Sequence, residues 1–449
     1  MGSITTALLN STGVLDAYSR IFSTIQNNIA NAHTPGFAKQ DQSMYALSGP
    51  AGGVFAGPLV SARSHYFEQA VRNAGQHLGA ARQYAGDLAQ VATLFNATGE
   101  SGIPAALNEF FDSVSQWSVN PNHTVSRQTV LNAASDIAAE FRLNAQGLLE
   151  SSRNIDIQTR EVLKSVNGAI HRIAQLNGTV RQGPPGEVDP GLDAELHATL
   201  EKLAELAPIS TIRVPDGTVS LYLDGRIPLV VGDHEFLISD DFSSAATKIH
   251  DAGGTDITGS FGFSAGALGA LLTAKNTTIP GYLAQLNQLA SGFADKVNAT
   301  LANGLDRNGN PPAVNLFAYN PAGAAYTLQV NKLTPDDLAA ALAGAPGGNG
   351  NAIALAQIAS QVQPNGYTFS EAYGNLAGQV GQDALNSKQD QTTFEDLLNQ
   401  AQQQRADVSG VSLDEEAAKL IQFQQAYQAS AQFITVLRDL TETIMNIAR

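Results

Sequence analysis

Residues 2–32 read GSITTALLNSTGVLDAYSRIFSTIQNNIANA, and this stretch decides how the rest of the chain is understood. Apolar side chains stand at Ile4, Leu8, Leu15, Tyr18, Phe22, Ile25 and Ile29, in a heptad rhythm broken only by Ser11. Residues 411–448 repeat the pattern with Leu413, Leu420, Phe423, Tyr427, Ile434, Leu437 and Ile444. A heptad seam is a helix face that needs another helix. With one near each end, the chain is expected to pair its termini with each other or with neighbours.

Composition narrows the function. The 449 residues suffice for several domains and a sizeable core. There is no Cys, which excludes disulfides, thiolate metal sites and a cysteine nucleophile. A net charge of −16 argues against a nucleic-acid partner or an anionic membrane surface, since both need clustered Lys and Arg. Charged residues make up only 15%, against roughly 25% in an ordinary domain, so the surface suits cover by protein more than solvation. No run reaches the ~18 apolar residues of a membrane span, so no membrane insertion is expected. The first Lys or Arg is Arg20, so a cleaved secretory signal is not expected either. Met1 to Thr6 fits the short N-myristoylation pattern, but Ile4 already belongs to the seam.

Periodicity organises the chain. The first helix is expected to end near His33, where Thr34-Pro35-Gly36-Phe37 forces a turn. An extended or hairpin stretch follows over Ser48 to Pro58, then helices over 64–96 and 104–117. From Thr124 to Val180 apolar residues recur every seven, with one change of phase between Ile137 and Phe141. A helix of ~55 residues would span roughly 80 Å, which implies a rod. Gly183 to Gly186 breaks it, and a short helix covers 192–206. Short β-rich runs at 209–214, 219–223, 228–231 and 235–238 are separated by the hairpin signals Asp216-Gly217, Asp224-Gly225 and Gly232-Asp233. Helices resume at 268–273 and 279–301, and a loop-rich region from 303 to 350 carries a strand at Tyr326 to Val330. The remainder from Phe369 is helix, interrupted at Ser409-Gly410.

The expected fold is therefore mainly α with a small inserted β domain, an elongated multi-domain protein with its N- and C-terminal helices paired as a coiled coil. Residues 1–62 with 404–449 would form a terminal coiled-coil assembly domain. Residues 63–206 with 266–403 would form a long-helix rod-like domain, and 207–265 a small β-rich inserted domain.

Catalytic patterns fail on inspection. Gly262-Phe263-Ser264-Ala265-Gly266 matches the nucleophile elbow, but all eight His residues lie at or before position 250, so none follows Ser264 as that triad order requires. Asp306-Arg307-Asn308-Gly309-Asn310 opens like a calcium loop, but Pro311 stands at the invariant glycine position and Phe317 at the bidentate glutamate position. No phosphate-binding glycine loop and no metal-spaced His pair is present. Asp414-Glu415-Glu416 follow Ser412 at a helix start, where acids complement the helix dipole. No catalytic residue, cofactor or metal is assigned.

Asn27-Asn28-Ile29-Ala30-Asn31-Ala32-His33-Thr34-Pro35-Gly36-Phe37 resembles the signature of the bacterial flagellar axial proteins, the rod, hook and hook-associated subunits. His33 replaces an Asn common in that family. The ending resembles the hook-associated branch: Ser409 to Glu416, Ser-Gly-Val-Ser-Leu-Asp-Glu-Glu, followed by Phe423-Gln424-Gln425-Ala426-Tyr427-Gln428-Ala429-Ser430. One departure is Asp193-Ala194-Glu195-Leu196-His197-Ala198, where the family has an Asp-Gln-Arg-Asp element.

The resemblance implies a structural subunit at the hook–filament junction, exported unfolded and assembled through its terminal helices. Its implied partners are identical subunits in a ring or helical layer, hook protein on one side, a second junction protein on the other, and a cytoplasmic export chaperone at the C-terminal helix. Its implied location is extracellular, after a transient cytoplasmic stage. The assembly interface expected from seam and motif together comprises Leu8, Leu15, Tyr18, Phe22, Ile25, Asn28, Ile29, Asn31, Pro35, Gly36, Phe37, Leu413, Leu420, Phe423, Gln425, Tyr427, Ile434, Leu437 and Ile444, with Asn27, Asn28 and Asn31 able to bridge backbone groups of neighbouring subunits. The alternatives are another axial subunit of rod or hook, or a secreted enzyme using Asp233, His234, Glu235 and Asp240-Asp241 of the β insert.

Overall fold

Helix α1 (Gly2–Ala30) opens the computed structural model, which describes residues 2–47, 53–95, 101–183, 189–364 and 366–447. Ser48 to Gly52, Pro184 to Gly186, Asn96 and the side chain of Ile4 lie outside the described part. After α1 come strands β1 (Gln40–Ala46) and β2 (Val54–Ser61), then helices α2 (His65–Ala92), α3 (Gly102–Val119), α4 (Thr124–Gln182) and α5 (Pro190–Leu206). Strands β3 (Ile209–Arg213), β4 (Val219–Leu223), β5 (Ile227–Val231), β6 (His234–Glu235), β7 (Ser239–Asp241) and β8 (Lys248–His250) follow. The rest is α6 (Gly266–Thr273), α7 (Ile279–Ala302), β9 (Gly304–Leu305), β10 (Phe317–Ala318), α8 (Ala324–Thr327), β11 (Gln329–Val330), β12 (Ala341–Leu342), α9 (Gly350–Gln357), α10 (Phe369–Ser409) and α11 (Leu413–Ile447). The architecture is mainly α with small sheets.

The chain divides into two compact units. One holds residues 1–79, 164–238 and 394–449; the other holds 80–163 and 239–393. The boundary between 238 and 239 falls inside the β-rich stretch 207–265, and α2, α4 and α10 each contribute to both units.

In the first unit β3–β4–β5–β6 form an antiparallel sheet in that order. Its turns sit at the expected Asp-Gly and Gly-Asp pairs, where Gly217, Asp224, Gly225 and Gly232 adopt positive φ. Two asparagines pin the sheet and the segment that follows it to α4. Asn177 Nδ2 donates to the Val219 and Gly232 carbonyls at 2.8 and 2.6 Å, and its Oδ1 accepts from Val219 N–H at 3.0 Å. Asn167 brackets Ile238 in the same way. Strands β1 and β2 pair antiparallel from Gln40↔Ser61, with a bulge between Gln42 and Met44.

The second unit is built around Phe293 of α7, which is fully buried. Its ring centroid lies 5.3–6.4 Å from those of Phe110, Phe111, Phe141, Phe317 and Phe369, so three other helices and β10 meet on one side chain. Asn298, one turn further along α7, accepts from Phe317 N–H and donates to its carbonyl, both at 2.9 Å. That exchange holds β10 against the helix.

Several local expectations are corrected. Tyr326 lies in the helical turn α8, and the strand there shrinks to Gln329–Val330. Thr327 Oγ1 donates to the Gly323 carbonyl at 2.7 Å and accepts from Asn320 N–H, closing a turn that local β propensity does not see. Helices α6 and α7 are joined by a π turn at Ala274–Thr278, whose Lys275 is buried against Asp156 at 2.6 Å. The short pairs β7–β8 and β9–β12 and helix α9 have too few residues for a periodic signal.

Candidate assembly interface at the terminal helices

Helix α1 ends where its sequence runs out of helix. Asn31 Nδ2 turns back to the Asn27 carbonyl at 3.0 Å and to its Oδ1 at 2.8 Å, and Thr34 Oγ1 donates to Asn31 Oδ1 at 3.0 Å. Pro35 has no N–H to continue the ladder. Gly36 then adopts φ +74°, and a Cβ there would lie 2.3 Å from the Ala194 carbonyl of α5. Glycine is required twice over, by conformation and by the approach of α5.

The turn returns the chain along α1 to meet α11. Asn28 is 1% exposed, and its amide is fully used. It donates to the Gln40 carbonyl at 2.8 Å and to Glu416 Oε2 at 3.0 Å, and accepts from Gln40 N–H at 2.9 Å. Lys39 Nζ pairs with Glu415 at 3.0 Å and lies 3.8 Å from Glu416, and its N–H donates to the Ser409 carbonyl at 2.8 Å. The hydrogen bond and charge of Glu415 outweigh burial and raise the Lys39 pKa. The C-terminal end of α1 is therefore tied to the first turn of α11, and the two helices run antiparallel. Further along, Tyr18 meets Phe423 at 6.0 Å and Phe22 meets Tyr427 at 5.9 Å between ring centroids.

The seam residues fall into three groups. Leu8, Leu15, Tyr18, Phe22, Asn31, Gly36 and Phe37 on the N-terminal side, and Leu420, Phe423, Ile434 and Leu437 on α11, are half-buried. Ile25 and Asn28 are buried. Ile29, Pro35, Leu413, Gln425, Tyr427 and Ile444 are exposed. Asn28 is occupied within its own chain, whereas the sequence expectation has it bridging neighbours. Ala17 and Ile21 are also buried, at positions the heptad count passes over. Opposite that economy, α11 leaves a second apolar row uncovered: Phe433, Val436 and Leu440 are 55%, 59% and 49% exposed. This row lies about a third of a turn from the seam, at helical spacing.

Glu416 is the residue that sequence reasoning missed. As a helix-start acid it looks like a dipole complement, but it is fully buried and receives Asn28. No local signal in the sequence points to it, because its partners Asn28 and Lys39 come from the other end of the chain.

Behind the turn lies a buried ionic network. Arg63 donates to Glu68 Oε1 at 2.6 Å, Asp193 Oδ2 at 2.9 Å and the Gly36 carbonyl at 2.6 Å. Arg213 takes Asp193 Oδ1 at 3.0 Å, and Arg405 pairs with Glu201 and stands 3.5 Å from Glu68 Oε2. His197 Nδ1 is also 3.5 Å from Glu68 Oε2. Burial alone would raise the Glu68 pKa, but the neighbouring His197, Arg63 and Arg405 more than reverse it, to about 2. The departure at Asp193 and His197 thus contributes two of the network's members.

The decoys take ordinary roles. Ser264 lies in a turn before α6 with no strand leading into it. Asp306 Oδ1 accepts from Asn308 and Asn310 N–H, an Asx turn. Asp233 forms a surface ion pair with Arg181 at 2.8 Å, and Glu235 Oε2 lies within hydrogen-bond distance of His171 Nδ1 at 2.7 Å. Among the described residues no group of three His, Asp or Glu is placed to hold a metal ion, and no described helix is long and apolar enough to cross a membrane.

Comparison with known proteins agrees with these ends. A family profile described as the rod FlgEFG protein C-terminal of the flagellar basal body matches residues 402–447. The chain is 26% identical over 487 aligned residues to flagellar hook-associated protein 1 of Bacillus subtilis, with 96% of each chain covered. It is 23% identical over 544 aligned residues to the protein of that name from Salmonella typhimurium, with 96% of this chain and 98% of the relative covered. The solved flagellar hook junction protein FlgK from Burkholderia pseudomallei shares the fold, with TM-score 0.65 and 17% identity over 76% of this chain and all of that one. The profile of the flagellar hook-associated protein FlgK helical domain matches residues 88–317, just over half of the chain, and the chain belongs to the FlgK family of flagellar hook-associated proteins.

Proposed function

We propose that this chain is a structural subunit of the hook–filament junction of the bacterial flagellum, exported unfolded and assembled outside the cell through its paired terminal helices. The observation that carries the reading is the α1–α11 pair with its uncovered second row. One seam of α11 is used within the chain, and Phe433, Val436 and Leu440 remain for a neighbour. Removing one such side chain from water contributes about 1.5–3 kcal/mol, so a ring of identical contacts supplies a strong drive. Residues 1–62 with 404–449 act as the assembly domain in this reading. Hook protein lies on one side of the layer and a second junction protein on the other. An export chaperone holds the C-terminal helix beforehand, because that helix has the most unshielded apolar surface to protect. The rod, hook and enzyme alternatives receive no support from the relatives.

The test is replacement of Phe433, Val436 and Leu440 together by Ser. The monomer is expected to keep its urea midpoint, and the variant to fail to enter the junction in a swimming cell. Normal incorporation would remove the uncovered row from the mechanism. The companion variant Leu420→Asp with Ile434→Asp attacks the intrachain seam and is expected to block incorporation while the 80–163 and 239–393 unit stays folded.

A further inference from the structure

A cleft of about 760 Å³ opens in the first unit beside the ionic network. Residues 59–61 of β2 and 211–213 of β3 line it, and Arg72 of α2 borders it. Arg72 is 7% exposed and borders the cleft, and among the described residues no carboxylate forms an ion pair with its guanidinium. Its natural helical partner four residues back, Glu68, is already taken by Arg63 on one oxygen and approached by Arg405 and His197 on the other. Asp193 is shared between Arg63 and Arg213, and Glu201 is held by Arg405. Four guanidiniums, those of Arg63, Arg72, Arg213 and Arg405, thus share three carboxylates. Burial lowers the Arg72 pKa, with the charges of Glu68 and Glu201 opposing the fall and those of Arg63 and Arg405 adding to it. A guanidinium at a cleft wall with no carboxylate of its own accepts one in a bidentate fork.

The surroundings say what carries that carboxylate. β2 pairs only with β1, and β3 is the end strand of its sheet, so both present an unpaired edge. Leu59, Val60 and Ile212 form an apolar lip, at 42%, 57% and 59% exposure. An edge strand offers backbone hydrogen bonds to an extended segment, and apolar side chains beside it select its neighbours. One excess guanidinium balances one carboxylate; a phosphate dianion would meet Asp193 and Glu68 without enough positive charge to offset them.

We propose that this cleft binds an extended peptide segment of a partner protein, seating an Asp or Glu of that segment on Arg72 with flanking apolar residues on Leu59, Val60 and Ile212. The occupant is defined by chemistry alone and does not depend on the junction reading.

The experiment uses the full chain and a fluorescein-labelled, end-blocked pentapeptide Thr-Val-Glu-Val-Thr, read by fluorescence polarisation. Saturable binding is expected, at least tenfold weaker for the Gln version of the peptide and at least tenfold weaker for Arg72→Gln. Val60→Asp, at an exposed position that folding does not need, puts a rival carboxylate at the lip and is expected to weaken binding at least fivefold. Inorganic phosphate at equal ionic strength should not displace the peptide better than chloride. Absence of saturable binding overturns the proposal. So do equal binding of the Glu and Gln peptides, unchanged affinity in Arg72→Gln, and displacement by phosphate, which would mark a simple anion site. If Arg72→Gln fails to fold, Val60→Asp decides alone, and unaltered binding there is a refutation.

Discussion

Replacing Asn28 by Ala tests whether the asparagine-rich helix end acts within the chain. The substitution removes the bonds to the Gln40 carbonyl, to Gln40 N–H and to Glu416, at 2.8, 2.9 and 3.0 Å. A neutral hydrogen bond contributes about 0.5–1.5 kcal/mol and one to a charge about 1.5–3. The site is buried, so water does not replace them, and Lys39 and Lys419 stay near Glu416 to soften its loss. The expected cost is about 3–5 kcal/mol, localised where α1, β1 and α11 meet. It is best read by hydrogen exchange of the Gln40 amide, whose opening should become about 150- to 5000-fold more frequent. Asn31→Ala is the matched control. Just past the end of α1 its amide bonds Asn27 and Thr34, so less than about 1 kcal/mol is expected. Equal effects of the two substitutions, or protection at Gln40 unchanged in Asn28→Ala, would refute the reasoning. A double-mutant cycle with Glu416→Gln should show coupling of about 1.5–3 kcal/mol.

Three further outcomes follow from the same structure. Burial raises the Asp87 pKa from 3.8 to about 6, against hydrogen bonds from Gln83 and Gln158. Its contribution is therefore complete below about pH 4 and lost as pH rises through 6, so Asp87→Asn should stabilise the chain at pH 8 by about 2–3 kcal/mol, with little change at pH 4, in urea titrations. Glu68 has the opposite sign: its pKa falls from 4.5 to about 2, so its stabilisation is complete above 4.5 and disappears as pH drops toward 2. Glu68→Gln should lower stability at pH 7 and flatten the acid limb between pH 5 and 2; an unaltered limb would show that the network does not govern acid stability. Gly36→Ala forces a Cβ to 2.3 Å from the Ala194 carbonyl at φ +74° and should cost about 2–3 kcal/mol, measured as a fall in thermal midpoint.

Much of this protein is legible in its sequence because the signals are long or sterically absolute. The 59-residue helix α4 announces itself by seven-residue recurrence, and Thr34-Pro35-Gly36 ends α1 by geometry that no tertiary contact can override. The hairpins at Asp216-Gly217 and Asp224-Gly225 come from residues that tolerate positive φ. The heptad seams show that α1 and α11 need partner helices, and the terminal motifs carry the likeness to the flagellar axial proteins.

Tertiary structure decided the rest. It chose which apolar row of α11 meets α1 and which stays exposed, because one periodic helix carries two rows and only the partner's position selects between them. It buried Asn28 and Glu416 together across 388 positions of sequence, a distance over which no local rule operates. It also gathered Arg63, Arg72, Arg213 and Arg405 from four separate segments around three carboxylates. Sequence records charge, but the number of partners each charge finds depends on which chains of the fold arrive beside it.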